Sequence, residues 1–254
     1  MDQGVPGVSC ASRGTKRAAN PKILLSQTED WRRETYVYDP GPTEPTDAHG
    51  HAEIQLSYSS HYAGYYQVGA RRIEFLPGQW VMIPAWVGHA CHGYQDRIEV
   101  SRFTVIHLTL GRPLASSLST GHFGALPTLL SNEPASVEDM LLGLIKADLP
   151  MRDPRAFSQV IAWVRAQPRS WPRTSELALA LGYSPRHLFR LVRTMTGLSP
   201  SQWIRSIKMD QATEALRRGE SVRKVADDLG FFDDAHLRRA FRRAHGFPAS
   251  QLRS

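Results

Sequence analysis

A repeated unit near the C-terminus constrains this chain more than any other feature. The run from Leu181 to Trp203 resembles the run from Leu229 to Leu252. Once one extra residue is allowed in the second copy, His187–Gln202 aligns on His236–Gln251 through shared His, Leu, Arg, Arg, Gly, Ser and Gln. Such self-similarity marks a repeated supersecondary unit. In the first copy, Leu177, Ala178 and Leu181 give a short amphipathic helix, and Gly182 follows where a left-handed helix end suits glycine. Ser184 can cap the next helix and Pro185 fits its first turn. That helix places Leu188, Leu191, Val192 and Met195 on one side, at i, i+3, i+4 and i+7, and Arg186, Phe189, Arg190 and Arg193 on the other. The second copy repeats the plan. Val222, Val225, Ala226 and Leu229 precede Gly230, and Asp233 or Asp234 opens a helix with Leu237, Ala240 and Phe241 inward and Arg238, Arg239, Arg242 and Arg243 outward. Helix, glycine turn and a second helix with a basic outer face describe a helix-turn-helix, whose second helix enters the major groove of DNA.

Between the copies, Pro200 to Arg218 reads as one helix. At ~1.5 Å per residue it spans roughly 28 Å, close to the ~34 Å between successive major-groove faces on one side of a duplex. Its apolar residues drift around the axis, with Trp203, Ile204 and Ile207 on one side and Met209, Ala212 and Leu216 further round, as expected of a helix that packs one lobe with each end. Charge agrees with a polyanion partner. From residue 154 onward the chain holds 18 Lys and Arg against 8 Asp and Glu, whereas the first 153 residues hold 13 against 16.

These stretches, with Gly197-Leu-Ser-Pro-Ser-Gln-Trp203 and Val225-Ala-Asp-Asp-Leu-Gly-Phe231, resemble the DNA-binding domain of the AraC family of bacterial transcription regulators. The resemblance covers about 154–254 and implies two helix-turn-helix units on a shared linker helix. The second unit departs from the pattern, ending Phe247-Pro-Ala-Ser250 with its proline moved by one place. Base-reading positions then fall on Arg186, Phe189 and Arg190 in the first recognition helix and on Asp234, Ala235 and Arg239 in the second. Arginine pairs bidentately with guanine and phenylalanine meets a thymine methyl, whereas Asp234 can accept only from cytosine. The first unit is therefore expected to carry more specificity. Arg193, Arg242 and Arg243 are expected on phosphates.

The first half has a different texture. From Glu34 to Leu110, short runs rich in β-branched and aromatic residues are broken by Gly and Pro, the pattern of an all-β sandwich or barrel. His49-Gly-His51, Pro77-Gly78, Ile83-Pro84 and Gly88-His89 resemble a cupin barrel, which implies a ligand-sensing domain. Metal-binding cupins use two histidines at i, i+2, a glutamate soon after and a distal histidine. Here Gln55 stands at the glutamate position, Glu53 lies one pleat early, and His89 matches the distal place. A neutral glutamine is a weaker ligand than carboxylate. His49, His51, Gln55 and His89 are therefore read as the lining of an effector pocket, and no metal or other cofactor is expected.

The fold expectation is a two-domain chain: an N-terminal all-β cupin-like barrel and a C-terminal all-α domain with two helix-turn-helix motifs joined by a long helix. Residues 1–20 read as a poorly ordered tail, 21–110 as the cupin-like sensing domain, 111–153 as a linker with a short helix near Ser136–Lys146, and 154–254 as the DNA-binding domain. Expected partners are a double-stranded DNA operator, a small-molecule effector, a second copy through the 136–146 helix, and RNA polymerase if the chain activates. No run of 18 apolar residues suggests a membrane span. Two cysteines, Cys10 and Cys91, suit a reducing cytoplasmic setting. No nucleophile–base constellation points to catalysis; the rival reading is a metal-dependent cupin enzyme fused to a DNA-binding domain.

Overall fold

The computed structural model describes residues 20–27, 31–43, 45–59, 63–93, 97, 99–108, 124–126 and 154–252. Residues 1–19 of the expected tail and the helix expected at 136–146 lie outside them.

Among the described residues, nine strands make two antiparallel sheets. They are β1 (Lys22–Gln27), β2 (Trp31–Tyr38), β3 (Ile54–Ser59), β4 (Gly64–Val68), β5 (Arg71–Phe75), β6 (Trp80–Ile83), β7 (Ala90–Gly93), β8 (Ser101–Leu108) and β9 (Gly124–Leu126). One sheet has the order β1-β2-β8-β3-β6-β9 and the other β5-β4-β7. The third strand was legible as Ile54-Gln-Leu-Ser-Tyr58. It pairs with β6 on one side and β8 on the other, so it has no free edge and nearly all of it is buried. Part of the stretch expected to be linker is sheet instead. Strand β9 pairs with β6, Trp80 opposite Leu126, and so occupies the backbone donors and acceptors that β6 would otherwise leave open.

The helical half holds six helices: α1 (Pro154–Arg165), α2 (Thr174–Ala180), α3 (Pro185–Thr196), α4 (Pro200–Arg217), α5 (Val222–Asp228) and α6 (Asp234–His245), with a closing 3-10 turn at Ala249–Leu252. Two of the caps, Ser184 and Asp233, are among those expected, and Ser199 and Ser221 add two more. Ser184 accepts from the His187 amide, Ser199 from Gln202, Ser221 from Lys224 and Asp233 from His236. The turns between α2 and α3 and between α5 and α6 need a left-handed residue, and Gly182 and Gly230 supply it at φ +70° and +69°.

The two halves share their cores. Trp203, Ile204 and Ile207 of α4 belong to one cluster with Leu177, Leu188 and Val192 of the first unit and with Ile54, Leu56, Ile106 and Leu108 of the sheet. Met209, Ala212 and Leu216 belong to a second cluster with Val225, Leu237 and Phe241 of the second unit and with Tyr36 and Val105 of the sheet. The drift of apolar residues around α4 thus has a third surface to satisfy besides the two lobes. Polar ties reinforce the docking. The Gly88 amide donates to the Thr196 carbonyl (2.7 Å), Asp47 to the Arg243 carbonyl (2.7 Å), and Gly50 to the Ser206 hydroxyl (3.1 Å). Asp210 of α4 accepts from the Ala52 amide and from Arg165 of α1.

Two measurements test this docking. A Cβ on Gly88 would sit 2.2 Å from Leu198 Cγ, so Gly88→Ala should cost about 1–3 kcal/mol through overpacking. In a Leu198→Ala background that cost should vanish, and strictly additive denaturation energies would show that the halves do not touch there. Burial, followed by the Glu214 charge, raises the Asp210 carboxyl to about 6. The folded chain then holds this proton more tightly than the unfolded one, so the group's contribution is greatest at acid pH and falls as pH rises. The stability of the parent relative to Asp210→Asn should drop by about 3 kcal/mol between about pH 4 and 6. A pH-independent difference in urea denaturation would contradict it.

Candidate effector pocket and DNA-reading surface

A cavity of about 150 Å³ lies where the open end of the β half meets α4 and α6. Its wall combines Glu34, Tyr36, His51, Gln55, His89 and His107 from the β half with Asp210, Thr213 and Arg217 from α4 and His245 from α6. Phe103, Val105 and Met209 add apolar surface.

The four residues picked out in the sequence do converge. His49 and His89 face each other across an isolated antiparallel bridge, their amides bonding each other's carbonyls at 3.0 and 2.8 Å, and their ring centroids are 4.6 Å apart. His51 Nε2 and His89 Nε2 both meet Gln55 Oε1, at 3.0 and 3.1 Å. The Gln55 amide nitrogen donates instead to Ser57 Oγ and Tyr66 Oη. The turn before His89 is strained: Trp86 has φ +62°, a conformation held by its amide donating to the His51 carbonyl (2.7 Å). Burial lowers the pKa of His49, His51 and His89, that of His51 to about 3, so all three rings are neutral near pH 7.

Beside the histidines lies a charge network that spans both halves. Glu34 accepts from Arg32 Nε (2.7 Å), from the Tyr36 hydroxyl and from Arg217 of α4 (3.1 Å). Arg32 also grips Glu53 with two nitrogens, at 2.6 and 3.0 Å. His107 Nδ1 comes within 3.2 Å of Glu53, off the angle of a hydrogen bond, and its Nε2 lies 3.5 Å from Glu34. Burial alone would raise both carboxyls. His107 and the Arg32 guanidinium outweigh it at each, joined at Glu34 by Arg217, and hold both below the usual carboxylate range. Glu53 lines the cavity with His49, His51 and Gln55, but its carboxylate is held by Arg32 and lies beside His107.

Sequence reasoning missed His107, Glu34, Arg217, Asp210 and His245. The alternation of β8 could have placed His107, which pairs in register with Gln55. Nothing in the local pattern could have placed the α4 and α6 residues, because they reach the pocket only through docking. Among the aromatic and large apolar residues of the β half, Trp80 and Met82 are core, Tyr58 packs on Trp80, and Phe103 lines the cavity. Arg72 sits over the Tyr65 ring and pairs with Glu74 at the surface, and the neighbouring Arg71 is exposed too.

On the helical half, Arg186, Phe189 and Arg190 share the exposed face of α3, with Phe189 50% exposed despite its size. On α6, Asp234 is paired with Arg238 (3.3 Å), Ala235 is half-buried and Arg239 is exposed. Arg193 donates to the Gly197 carbonyl at the end of α3. Arg242 is half-buried, and Arg243, expected on a phosphate, lies 3.4 Å from Asp47 of the β half. Phe232, at the turn before α6, is 91% exposed and was overlooked; its neighbour Phe231 takes the core position. Among the described residues, no helix is long and apolar enough to cross a membrane.

A family profile described as a helix-turn-helix domain matches residues 177–254. The HTH-type transcriptional activator RhaS of Escherichia fergusonii is 26% identical over 191 residues, covering 72% of this chain and 65% of that protein. The HTH-type transcriptional regulator YidL of Escherichia coli, described as uncharacterized, is 31% identical over 104 residues, covering 40% of this chain and 35% of that protein. The chain thus spans between about a third and two thirds of the curated relatives it matches. Among solved structures, ToxT from Vibrio cholerae superposes with a TM-score of 0.64 at 12% identity, over 88% of this chain and 98% of ToxT. A further ToxT structure, described as bound to an unsaturated fatty acid, gives 0.63 at 11% identity over 90% and 96%. At that identity the likeness shows a shared fold, both halves included. Residues 177–254 thus form a helix-turn-helix domain similar to that of DNA-binding transcription regulators.

Proposed function

We propose that the chain is a sequence-specific transcription regulator that reads operator DNA with α3 and α6 and responds to a small molecule held in the junction pocket. The observation that carries this reading is the shared wall. Strands β2, β3 and β8 line one side, and α4 and α6 line the other. A ligand seated there contacts the long helix that joins both DNA-reading units. It therefore biases their arrangement by the difference in its affinity for each state. The loop contacts strengthen the link. Gly88 holds the end of α3 and Asp47 the end of α6, and each is one or two residues from a pocket histidine.

The pocket's size and lining bound the effector. A cavity of about 150 Å³ is smaller than the ~300–1,000 Å³ of sites for drug-sized ligands. A compact molecule with an apolar body and a few polar groups fits; ToxT, which shares the fold, is described with a fatty acid. The likeness to the activator RhaS supports activation, with RNA polymerase as a further partner and a second copy of the chain as another. The residue roles follow from the exposed faces. Arg186, Phe189 and Arg190 read bases, and Arg239 does so with less help, because Asp234 is neutralised by Arg238 and Ala235 offers only a methyl. Arg193, Arg242 and Arg243 meet phosphates, Arg243 after releasing Asp47.

Footprinting across a genome, followed by binding to the recovered fragments, tests the reading. Arg190→Ala should cost about 1–3 kcal/mol and relax discrimination at one base position. Arg242→Ala should weaken all sequences alike and reduce the salt slope by roughly one. Equal footprints for Arg190→Ala and parent would refute the assignment of α3 as the base reader.

A further inference from the structure

The two helix-turn-helix units differ by one residue, and the structure shows where it sits. In the first unit the Tyr183 amide donates to the Ala178 carbonyl (2.8 Å), and the next residue, Ser184, caps α3 by accepting from the His187 amide (3.2 Å). In the second unit the Phe231 amide makes the matching bond to the Ala226 carbonyl (2.9 Å), and Asp233 makes the matching cap with the His236 amide. The rings correspond too. Tyr183 stacks on His187 at 5.0 Å between centroids, and Phe231 meets His236 at 5.5 Å. Tyr183 and Ser184 are adjacent, whereas Phe232 stands between Phe231 and Asp233. It is the extra residue of the second copy. Its side chain is 91% exposed, immediately before the cap of α6. An exposed apolar residue alone means little. This one is held in place. Its amide donates to His236 Nδ1 (3.4 Å), and the bonds just named fix the residue on either side of it. The turn thus presents a large apolar ring to water from a fixed backbone. It does so at the end of the helix whose first residues reach base edges in a helix-turn-helix.

We infer that Phe232 is a further specificity-determining residue of the second unit, and that it recognises the 5-methyl group of a thymine in the major groove beside α6. The inference deepens the proposed function and rests on its placing α6 on DNA. A phenyl ring has no hydrogen bond to offer a base edge, and the thymine methyl is the apolar group that the major groove displays. The surroundings of the ring favour DNA as its partner. Arg239 is exposed on the same helix, and Arg242 follows one turn later, so the face is suited to a polyanion. The two acids next to Phe232 do not oppose that. Asp233 caps the helix, where its charge meets the positive end of the α6 dipole, and Asp234 pairs with Arg238. The second unit also lacks the apolar reader of the first. By the alignment of His187 on His236, the place of exposed Phe189 in α3 is taken by Arg238 in α6. Arg238 is occupied by Asp234, and Ala235 offers only a methyl. Phenylalanine returns at the inserted position instead. Because the turn is already ordered, little conformational freedom is lost when the ring meets a base.

The test uses the full chain and the DNA fragments recovered by footprinting, with thymines replaced one at a time by deoxyuridine, which lacks only the methyl. In the half-site where Arg239→Ala relaxes discrimination, one such replacement should weaken the parent about 4-fold, the effect of leaving one methyl group unburied. Phe232→Ala should bind the thymine fragment roughly 10-fold more weakly than the parent, and the same deoxyuridine should then change nothing further. Phe232→Leu, which keeps an apolar side chain, should retain the deoxyuridine effect. Phe232→Gln, of similar reach but polar, should behave as the alanine variant and replaces it if that one fails to fold. Thermal unfolding should not separate any of the three from the parent, because the side chain is exposed. Equal affinity of folded Phe232→Ala and parent on every fragment overturns the inference; a fall in transcription without a fall in affinity would then assign the ring to a protein partner. A loss in Phe232→Ala that leaves every deoxyuridine effect intact overturns the methyl contact. A parent with no sequence preference on any fragment refutes the proposed function itself. A preference in the second half-site that survives without Phe232 refutes only this inference.

Discussion

The burial of α4 is the interaction on which the rest of the structure depends. Twelve residues of this 18-residue helix are buried, including Lys208, Asp210, Ser206 and Thr213. A helix buried on nearly every side needs a partner for each polar group. Lys208 donates to the carbonyls of Gln167 and Pro168 at the end of α1, Asp210 takes Arg165 and the Ala52 amide, and Ser206 and Thr213 return bonds to their own helix. Beyond their own helix, Ser206 accepts from the Gly50 amide and Thr213 meets His245 of α6, so the four polar residues reach α1, the β half and α6. Together they fix the rotation of α4 about its axis, and so the orientation of the two units it carries.

Much of the helical half was written in local chemistry. Ser184, Gly182 and Pro185 spell one turn, and Asp233 and Gly230 spell the next without the proline. The 3.6-residue spacing of Leu188, Leu191, Val192 and Met195 names the inner face of α3. Strands β3, β4, β5, β6 and β8 were legible from β-branched runs and their breakers, whereas β1, β2 and β7 were not. What was not legible is what depends on docking. Leu56 and Ile106 lie on strands, yet they share a cluster with Leu177, Leu188 and Trp203 of helices far along the chain. Strand β9 is three residues long and carries no alternation to betray it.

The pocket shows the same division. His49, His51, Gln55 and His89 could be found because strand-like spacing and two short motifs set them apart. Their partners could not. Arg217 looked like one more basic residue at a helix end, but it closes on Glu34, 183 positions earlier. Glu53 looked like a member of the histidine row, and Arg32 holds its carboxylate. A guanidinium that grips one carboxylate with two nitrogens and another with Nε fixes how both acids sit in the cavity wall, and it comes from a strand 21 residues before Glu53.

The mixed clusters carry a consequence for how such chains can be recombined. Trp203 and Ile207 share a cluster with Ile54, Leu56 and Ile106, so part of the surface where the halves meet is apolar. A hybrid that joins this helical half to a different sensor inherits an apolar face shaped for this sheet. The foreign sensor must match it in outline as well as in ligand, or the face stays wet and becomes sticky. Exchange of sensors among chains of this architecture is therefore limited by the fit of one buried seam.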